Sequence, residues 1–248
     1  MSAGVSALAG LARTLSLDGS VAAWVIGTSI LIGAGWEGGA VLAAFFVSSS
    51  LVSKLVGRRE PGLDSKGDRR DAWQVIANGG VAAVAALIAP DPLAKLWLVT
   101  ATLAAAAADT WATSIGSLSP VPPRLLWSRR RVVAGTSGGI TSLGIIGAVV
   151  GSALVAVVGA GVAGAPRFAV AGTLIGFAGM LVDSVVGGTF QGRFHCPRCD
   201  APSEWRRHRC GAETQLIGGQ AWLNNDVVNG LATVFAALLA WVWWRLLD

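Results

Sequence analysis

Continuous apolar runs, separated by glycine, proline or charged residues, dominate the chain. A hydrocarbon core of about 30 Å needs about 20 apolar residues to cross it as a helix. A membrane β-barrel would show alternating apolar and polar positions instead, and these runs do not alternate. The pattern therefore predicts an all-α bundle with about seven membrane spans, near residues 20–35, 37–57, 72–89, 93–118, 138–163, 167–190 and 220–246.

Composition supports an integral membrane protein. The 248 residues are 53% hydrophobic and 13% charged, whereas a soluble globular domain carries about 25% charged residues. Mean hydropathy is +0.61, and the 33 glycines suit close contact between helices, because small residues let backbones approach. We predict an N-terminal segment, 1–19, that is either an amphipathic interfacial helix or a disordered start. An integral membrane domain, 20–248, follows and includes a cytoplasmic Cys-containing loop at 191–219.

Charge predicts the orientation of the bundle. Lys and Arg residues concentrate in the cytoplasmic loops of membrane proteins. With seven spans, the N-terminus and the three longest loops share one face, which receives all of the 19 Lys and Arg residues except Lys95, Arg167 and Arg245. We therefore predict a multi-pass protein of the cell membrane with a cytoplasmic N-terminus. Topology explains most of the basic excess, and we expect no nucleic-acid partner.

Polar side chains inside the predicted spans all fall in the cytoplasmic half. A charge at the bilayer centre costs on the order of 3 kcal/mol on insertion scales, so such residues usually mark a site or a pathway. Three carboxylates with neighbouring amides need a cation to neutralise them, and oxygen donors of this kind suit Mg²⁺. The alternative is that each carboxylate only hydrogen-bonds across helices. The polar residues concerned include Lys54, Asn78, Asp109, Asp183, Asn225, Asp226 and Asn229.

A glycine-rich stretch, RRRVVAGTSGG at 129–139, precedes the fifth predicted span. Glycine permits tight turns, and a turn that leads into a helix N-terminus presents backbone N–H groups to an anion. Arginine beside such a turn suits phosphate. Together with the carboxylates, this element would form the second half of a phosphoryl-transfer site. Its predicted phosphate-binding members are Arg131, Gly135, Thr136, Ser137, Gly138 and Gly139.

The loop FHCPRCDAPSEWRRHRCG, residues 194–211, contains a further candidate site. Cys-x-x-Cys followed by two more ligands is typical of a structural zinc site. The predicted ligands are Cys196, Cys199, His208 and Cys210, with His195 as a spare histidine. The His-x-Cys spacing is unusual for zinc, so plain reduced cysteines and a redox role stay open.

Small residues on the fourth predicted span suggest a place for a lipid chain. Ala105, Ala108, Ala112 and Gly116 recur at helical spacing. We expect this stripe to leave a groove on the helix surface.

Several stretches occur in an order that resembles a known membrane family. They are SSSLVSKLVG (48–57), QVIANGG (74–80), ADTWATSIG (108–116), VVAGTSGG (132–139), GFAGMLVDSVVGGTFQ (176–191) and LNNDVVN (223–229). The family includes plant phytyl-phosphate kinase of vitamin E synthesis and animal transmembrane protein 19. It commonly has an acidic residue where this chain has Ser114, and that difference removes a possible metal ligand or base.

A more distant similarity links the same motifs to membrane enzymes that use CTP, namely polyprenol kinases and phosphatidate cytidylyltransferases. The resemblance implies a kinase that makes a prenyl diphosphate from a phytyl- or geranylgeranyl-like monophosphate lipid, with CTP or another nucleoside triphosphate and Mg²⁺, at the cytoplasmic face. The chain has no Walker-type loop for the nucleotide. In this hypothesis the three aspartates bind Mg²⁺, Lys54 neutralises developing charge, and the asparagines Asn78, Asn225 and Asn229 orient water, metal or nucleotide.

Two other functions stay open. A lipid-phosphate cytidylyltransferase would use nearly the same site residues. A non-enzymatic ion-coupled transporter would use the carboxylates as a cation or proton pathway. Such a pathway needs polar residues through both halves of the bilayer, and in the outer halves of the predicted spans Glu37 is the main one. The clustering on one side therefore favours an enzyme.

Overall fold

A computed structural model describes residues 14–56, 69–128 and 130–247. The described helices are α1 (Leu17–Val56), α2 (Ala72–Ile88), α3 (Pro92–Gly116), α4 (Ser142–Ala163), α5 (Arg167–Phe190) and α6 (Asn225–Leu247). The described strands are β1 (Arg124–Leu125), β2 (Gly139–Ile140), β3 (Arg193–Cys196), β4 (Ala201–Ser203) and β5 (Gln215–Gly218). Among these helices, all except α2 are long and apolar enough to cross a membrane, and α2 is a shorter apolar helix of 17 residues.

The chain reverses direction inside α1. Gly35 has φ 67° and ψ −165°, outside the helical region, and glycine adopts such angles without steric cost. A Cβ placed on Gly39 would lie 2.6 Å from Cδ2 of Leu31, although residues eight apart in a straight helix are separated by about 12 Å. The two halves, 17–34 and 36–56, therefore pack against each other. The reversal falls where the sequence predicted a break between its first two spans.

Local sequence sets several helix ends. Asp71 and Gln74 form a capping box at the start of α2, which satisfies backbone donors that have no partner in the first turn. Asp91 caps α3 in front of a proline, and Thr141 caps α4. Gly164 ends α4 with φ 59°. These caps place the ends of α2, α3 and α4 within a few residues of the predicted span boundaries.

Helix α3 lies at the centre of the bundle. Every residue from Leu96 to Ala108 is buried, and α3 contacts each of the other five described helices. Glycines on its neighbours make this possible. A Cβ placed on Gly176 of α5 would lie 2.9 Å from the backbone carbonyl carbon of Ala104, closer than real Cβ atoms approach. Near the other end, the indole N–H of Trp97 donates to the carbonyl of Ala240 on α6 at 2.8 Å.

The small-residue stripe of α3 does not form a lipid groove, contrary to the sequence expectation. Ala105 and Ala108 are 1% and 0% exposed. A Cβ placed on Gly179 of α5 would lie 2.7 Å from the Cβ of Ala105, and a Cβ placed on Gly116 would lie 3.4 Å from the Cα of Gly144 on α4. Helices α4 and α5 thus pack against the stripe. Small residues let neighbouring helix backbones approach closely, so a stripe of them can serve as a helix contact instead of a lipid groove.

The prediction of an all-α protein is incomplete, because two small sheets occur in the described loops. Strands β1 and β2 form an antiparallel pair. Strands β4, β3 and β5 form a sheet in that order. The helix predicted from residue 138 begins at Ser142 instead, and the helix predicted from residue 220 begins at Asn225. The residues before each helix are used for turns and strand pairing.

The described end of the predicted N-terminal segment is extended. Leu15 forms a β-bridge with Arg70, and the N–H of Ser16 donates to the carbonyl of Arg70 at 3.1 Å. Helix α1 then begins at Leu17. The predicted N-terminal segment, 1–19, therefore ends in an extended stretch and the first turn of α1, and its residues 1–13 lie outside the described residues.

We expect Gly176→Ala to destabilise the bundle, because its new methyl group would displace α5 from the backbone of α3. Overpacking of this kind costs about 1–3 kcal/mol. Thermal unfolding in detergent measures the effect. Gly161→Ala is the matched control, since a Cβ there meets nothing within 4 Å. Equal unfolding temperatures for the two variants would contradict the enclosed position of α3.

Candidate functional site

Four predicted polar side chains from four different helices line one narrow cavity. They are Asn78 of α2, Asp109 of α3, Asp183 of α5 and Asn229 of α6. The free space is about 10 Å³, close to the minimum that one water molecule occupies. The rest of the lining is Ala105, Ala106, Ala232 and Thr233. Small neighbours leave room for one water or ion between the polar groups, and not for a phosphate chain.

Hydrogen bonds fix the polar groups around this cavity. With its amide oriented to match the surrounding acceptors, Asn229 donates from Nδ2 to Oδ2 of Asp183 at 2.7 Å. Asn78 donates from Nδ2 to the carbonyl of Gln74 at 2.8 Å. Thr233 donates from Oγ1 to the carbonyl of Ala77 at 3.0 Å and so joins α6 to α2. The amide N–H groups are thus used to position the site.

The cavity concentrates negative charge in apolar surroundings. Asp109 directly follows the buried run that ends at Ala108, and Asp183 lies across the same cavity. No lysine, arginine or histidine is among the described residues that line it. Two carboxylates this close repel each other and lose hydration. A bound cation or a shared proton would offset that cost.

The glycine-rich turn packs on the helix that carries Asp183. Gly138 has φ 76°, and a Cβ placed there would clash with the carbonyl oxygen of Ser184 and lie 2.5 Å from the Cα of Gly188. Gly187 faces both this turn and Val228 of α6. The turn therefore meets the backbone of α5 next to Asp183, at distances that leave no room for a side chain at Gly138.

Two N–H groups of the predicted anion cradle already have partners. The N–H of Thr136 donates to the carbonyl of Val133 at 3.1 Å, and the N–H of Gly139 donates to the carbonyl of Thr136 at 3.0 Å. The hydroxyl of Ser137 donates to Oε1 of Glu204 at 2.6 Å. Gly135 is exposed, with φ 85°. The turn is thus held partly by its own backbone hydrogen bonds and partly by the carboxylate of Glu204, from the loop after α5.

Other predicted site residues do not line the cavity. Lys54 is exposed in the last turn of α1. Arg131 is exposed, and its backbone bridges to Arg124. Asp226 is buried in the first turn of α6, three residues before Asn229 and therefore on the same helix face. Asn225 is exposed. None of these four residues is part of the cavity lining.

The predicted zinc ligands lie together in the loop after α5. The ligand atoms of Cys196, Cys199, His208 and Cys210 are all within 4.8 Å of one another. A hydrogen bond with Cys210 raises the pKa of Cys199 to about 11. The backbone N–H of Ala212, with a smaller effect of His208, lowers the pKa of Cys210 to about 6. The spare His195 bonds to Asp200 at 3.0 Å instead.

Sequence reasoning missed two residues that the structure places near the site. Thr233 lies one helical turn after Asn229, and that spacing was a usable signal on an otherwise apolar helix. Glu204 contacts Ser137 from 67 residues away. An acidic residue in a basic loop gave no indication of that contact. Burial raises the pKa of the Glu204 carboxyl, while the Ser137 hydrogen bond opposes the shift.

Comparison with known protein families assigns the chain to one of them. The family model for Integral membrane protein DUF92 matches residues 1–237. The chain belongs to the DUF92 family. The motif resemblance is confirmed at that level by a plant relative, Protein PGR of Arabidopsis thaliana. It is 29% identical over 92% of this chain and 88% of its own length.

Other DUF92 relatives come from microorganisms. An uncharacterized membrane protein of Methanocaldococcus jannaschii is 30% identical over 72% of this chain and 76% of its own length. One from Synechocystis is 27% identical over 88% of this chain and 78% of its own length. No solved structure matches the chain.

We expect Gly138→Ala to loosen the contact between the glycine-rich turn and α5 of this DUF92 protein. The variant combines a clash with Ser184 and an unfavourable positive φ, which costs about 1–2 kcal/mol by itself for a non-glycine residue. Amide hydrogen exchange at 135–139 and 184–188 should rise. Gly164→Ala is the control, because it shares the positive φ but meets nothing within 4 Å. Unchanged exchange in Gly138→Ala would contradict the described docking.

Proposed function

We propose that this protein is a membrane phosphotransferase that converts a prenyl monophosphate, phytyl- or geranylgeranyl-like, to the diphosphate with CTP or another nucleoside triphosphate. The main support is the pairing of Asp109 and Asp183 in one cavity beside a glycine-rich turn. Carboxylates for a cation and a turn for phosphate are the two parts that phosphoryl transfer needs. The motif resemblance to prenyl-phosphate and polyprenol kinases supplies the substrate class.

The donor set of the cavity fits Mg²⁺. Two carboxylates and two amide side chains offer oxygen atoms, which Mg²⁺ prefers to nitrogen or sulfur. The free space suits one ion. Asp109 and Asp183 would hold it, with Asp226 as an outer carboxylate nearer the helix N-terminus. When bound, Mg²⁺ would supply positive charge that offsets the negative charge of the reacting phosphate groups.

The reaction needs no nucleophilic side chain. An oxygen of the acceptor monophosphate would attack the γ-phosphorus of the nucleotide, and the bond from that phosphorus to the bridging oxygen would break, releasing the nucleoside diphosphate. The chain would act by positioning and electrostatics. The turn at 135–139 would hold phosphates, and the exposed side chains of Lys54 and Arg131 would supply positive charge. Asn229 would keep Asp183 in one orientation.

We propose seven membrane-crossing segments, with the halves of α1 counted separately, and a cytoplasmic site. The N–H of Ala72 donates to Asp18 at 3.2 Å, and the hydroxyls of Ser53 and Ser114 lie 3.2 Å apart. These contacts gather the ends of α1, α2 and α3 at one end of the bundle. Most basic residues belong to loops at that end, which favours the cytoplasmic side.

The acceptor's chain would lie on the outside of the bundle. Helix α3 is enclosed by other helices, so its small residues offer no lipid channel. The headgroup would then enter between the turn and the helix ends from the membrane interface. This placement keeps the apolar chain in lipid while the phosphate meets the cytoplasmic surface.

Reconstituted protein with geranylgeranyl or phytyl monophosphate, CTP and Mg²⁺ tests the proposal. We expect label from the γ-phosphate of CTP to appear in the lipid diphosphate. Label from the α-phosphate would assign a cytidylyltransferase instead. No labelled lipid diphosphate with any prenyl length or nucleotide would end the kinase proposal. Ion-gradient-dependent uptake in proteoliposomes would favour a transporter instead.

We expect Asp109→Asn and Asp183→Asn to abolish turnover while leaving the fold intact. Without divalent cations, each variant should be as stable as the parent or more so, because one of two repelling charges is gone. Saturating Mg²⁺ should stabilise the parent by about 1–3 kcal/mol through linkage and the variants by much less. Thermal unfolding with and without Mg²⁺ measures this. Glu37→Gln, outside the cavity lining, should keep the full Mg²⁺ effect.

Persistence of that Mg²⁺ effect in both aspartate variants would remove the cavity as the cation site. Parental turnover in Asp109→Asn would remove Asp109 from the site whatever the cation does.

A further inference from the structure

We propose that Cys196, Cys199, His208 and Cys210 bind one zinc ion, and that this ion holds the loop after α5 against the glycine-rich turn. We call residues 193–218, with strands β3, β4 and β5, the ribbon. The four ligand atoms lie within 4.8 Å of one another. The proposal concerns a metal site separate from the Mg²⁺ cavity and holds independently of the reaction.

The sulfur spacing matches tetrahedral zinc. Sγ of Cys196 and Sγ of Cys210 are 3.7 Å apart. Zn–S bonds of about 2.3 Å in a tetrahedron place two sulfurs about 3.8 Å apart. A disulfide needs about 2.05 Å, and all three cysteines are free thiols. Three thiolates and one imidazole are a regular zinc donor set.

Two tight turns deliver the ligands in pairs. Cys196 ends β3, and Cys199 lies in the turn before β4. The second turn carries His208 and Cys210, and it is closed by the N–H of Gly211, which donates to the carbonyl of His208 at 2.8 Å. Facing turns of this kind form a zinc ribbon. The His-x-Cys spacing that looked unusual in sequence is accommodated because the positive φ of Gly211, 83°, tightens the second turn.

The ribbon has almost no apolar core to hold it together. Its strands contain four, three and four residues. Phe194 is its one large apolar side chain that is buried among the described residues, whereas Leu216 and Ile217 are 46% and 63% exposed. A sheet this small is marginal alone. Bound metal supplies folding free energy in such units.

The ribbon reaches the candidate site through Glu204, which directly follows β4. Its carboxylate accepts the hydrogen bond from Ser137 at 2.6 Å. Backbone anchors flank it, since the hydroxyl of Ser203 accepts from the N–H of Trp205 at 3.1 Å. The next residue of the turn, Gly138, packs on α5 beside Asp183. The zinc ion would therefore stabilise the position of a turn that it does not touch.

Metal analysis of the full-length protein, purified in detergent under reducing conditions without added zinc, tests the site. We expect about one zinc per chain, by the one-ion geometry of the cluster. Cys196→Ser and His208→Ala should lose most of it, and Co²⁺ reconstitution of the parent should give a tetrahedral thiolate spectrum. His195→Ala is the matched control and should keep its zinc, since His195 pairs with Asp200. A zinc-free parent that fails to take up Co²⁺, or equal zinc loss in His195→Ala and His208→Ala, would overturn the proposal.

Amide hydrogen exchange tests the connection to the turn. Zinc removal by a chelator should raise exchange at 135–139, and Glu204→Ala should do the same while keeping its zinc. Glu213→Ala, at an exposed acidic position of the ribbon, is the control and should leave exchange unchanged. Unaltered exchange after both chelation and Glu204→Ala would overturn the coupling. Because neither measurement involves turnover, the result is independent of whether the kinase proposal holds.

Discussion

Close approach of helix backbones around α3 is the constraint on which the rest of the structure depends. The alanine run before Asp109 meets glycines of α5 at distances that a Cβ atom would prevent. In a membrane, small residues favour contact because lipid offers little competing drive. Enclosure of α3 on all sides carries Asp109 into the interior of the bundle, where it meets side chains of α2, α5 and α6. A bulkier helix would leave that carboxylate near lipid.

The cavity that results keeps an arrangement that folding alone does not favour. Asp109 and Asp183 line a cavity of about 10 Å³ together with three alanines, although each charge loses hydration there. Asn229 and Asn78 use their N–H groups to fix the geometry. Strained or costly arrangements persist where the surroundings determine them, and such places are often functional. A cation would turn the repulsion into attraction.

The loops at the end of the bundle near the cavity hold the glycine-rich turn in place. The glycine-rich turn contacts α5 through backbone at Gly138, and Glu204 joins it to the ribbon. The turn is thus clamped between a membrane helix and a small sheet. In the proposed function the turn would receive phosphate, and holding it in place before the ligand arrives would help, since preorganised groups lose less free energy on binding. The ribbon offers that support through Glu204.

The sequence by itself determined the helices and their approximate ends, because apolar length and capping residues such as Asp91 and Thr141 act locally. It also indicated which polar residues are costly in lipid, and it placed the metal-ligand pattern of the cysteine loop. The tertiary structure decided which side chains and helix faces come into contact. It joined Asp109 to Asp183 but left Lys54 and Asp226 outside the cavity lining, turned the alanine stripe from a lipid surface into a helix contact, and paired Ser137 with Glu204. Those outcomes depend on which helix faces of small residues pack against each other. Hydropathy and residue spacing describe each helix separately, so they do not show which helices come into contact.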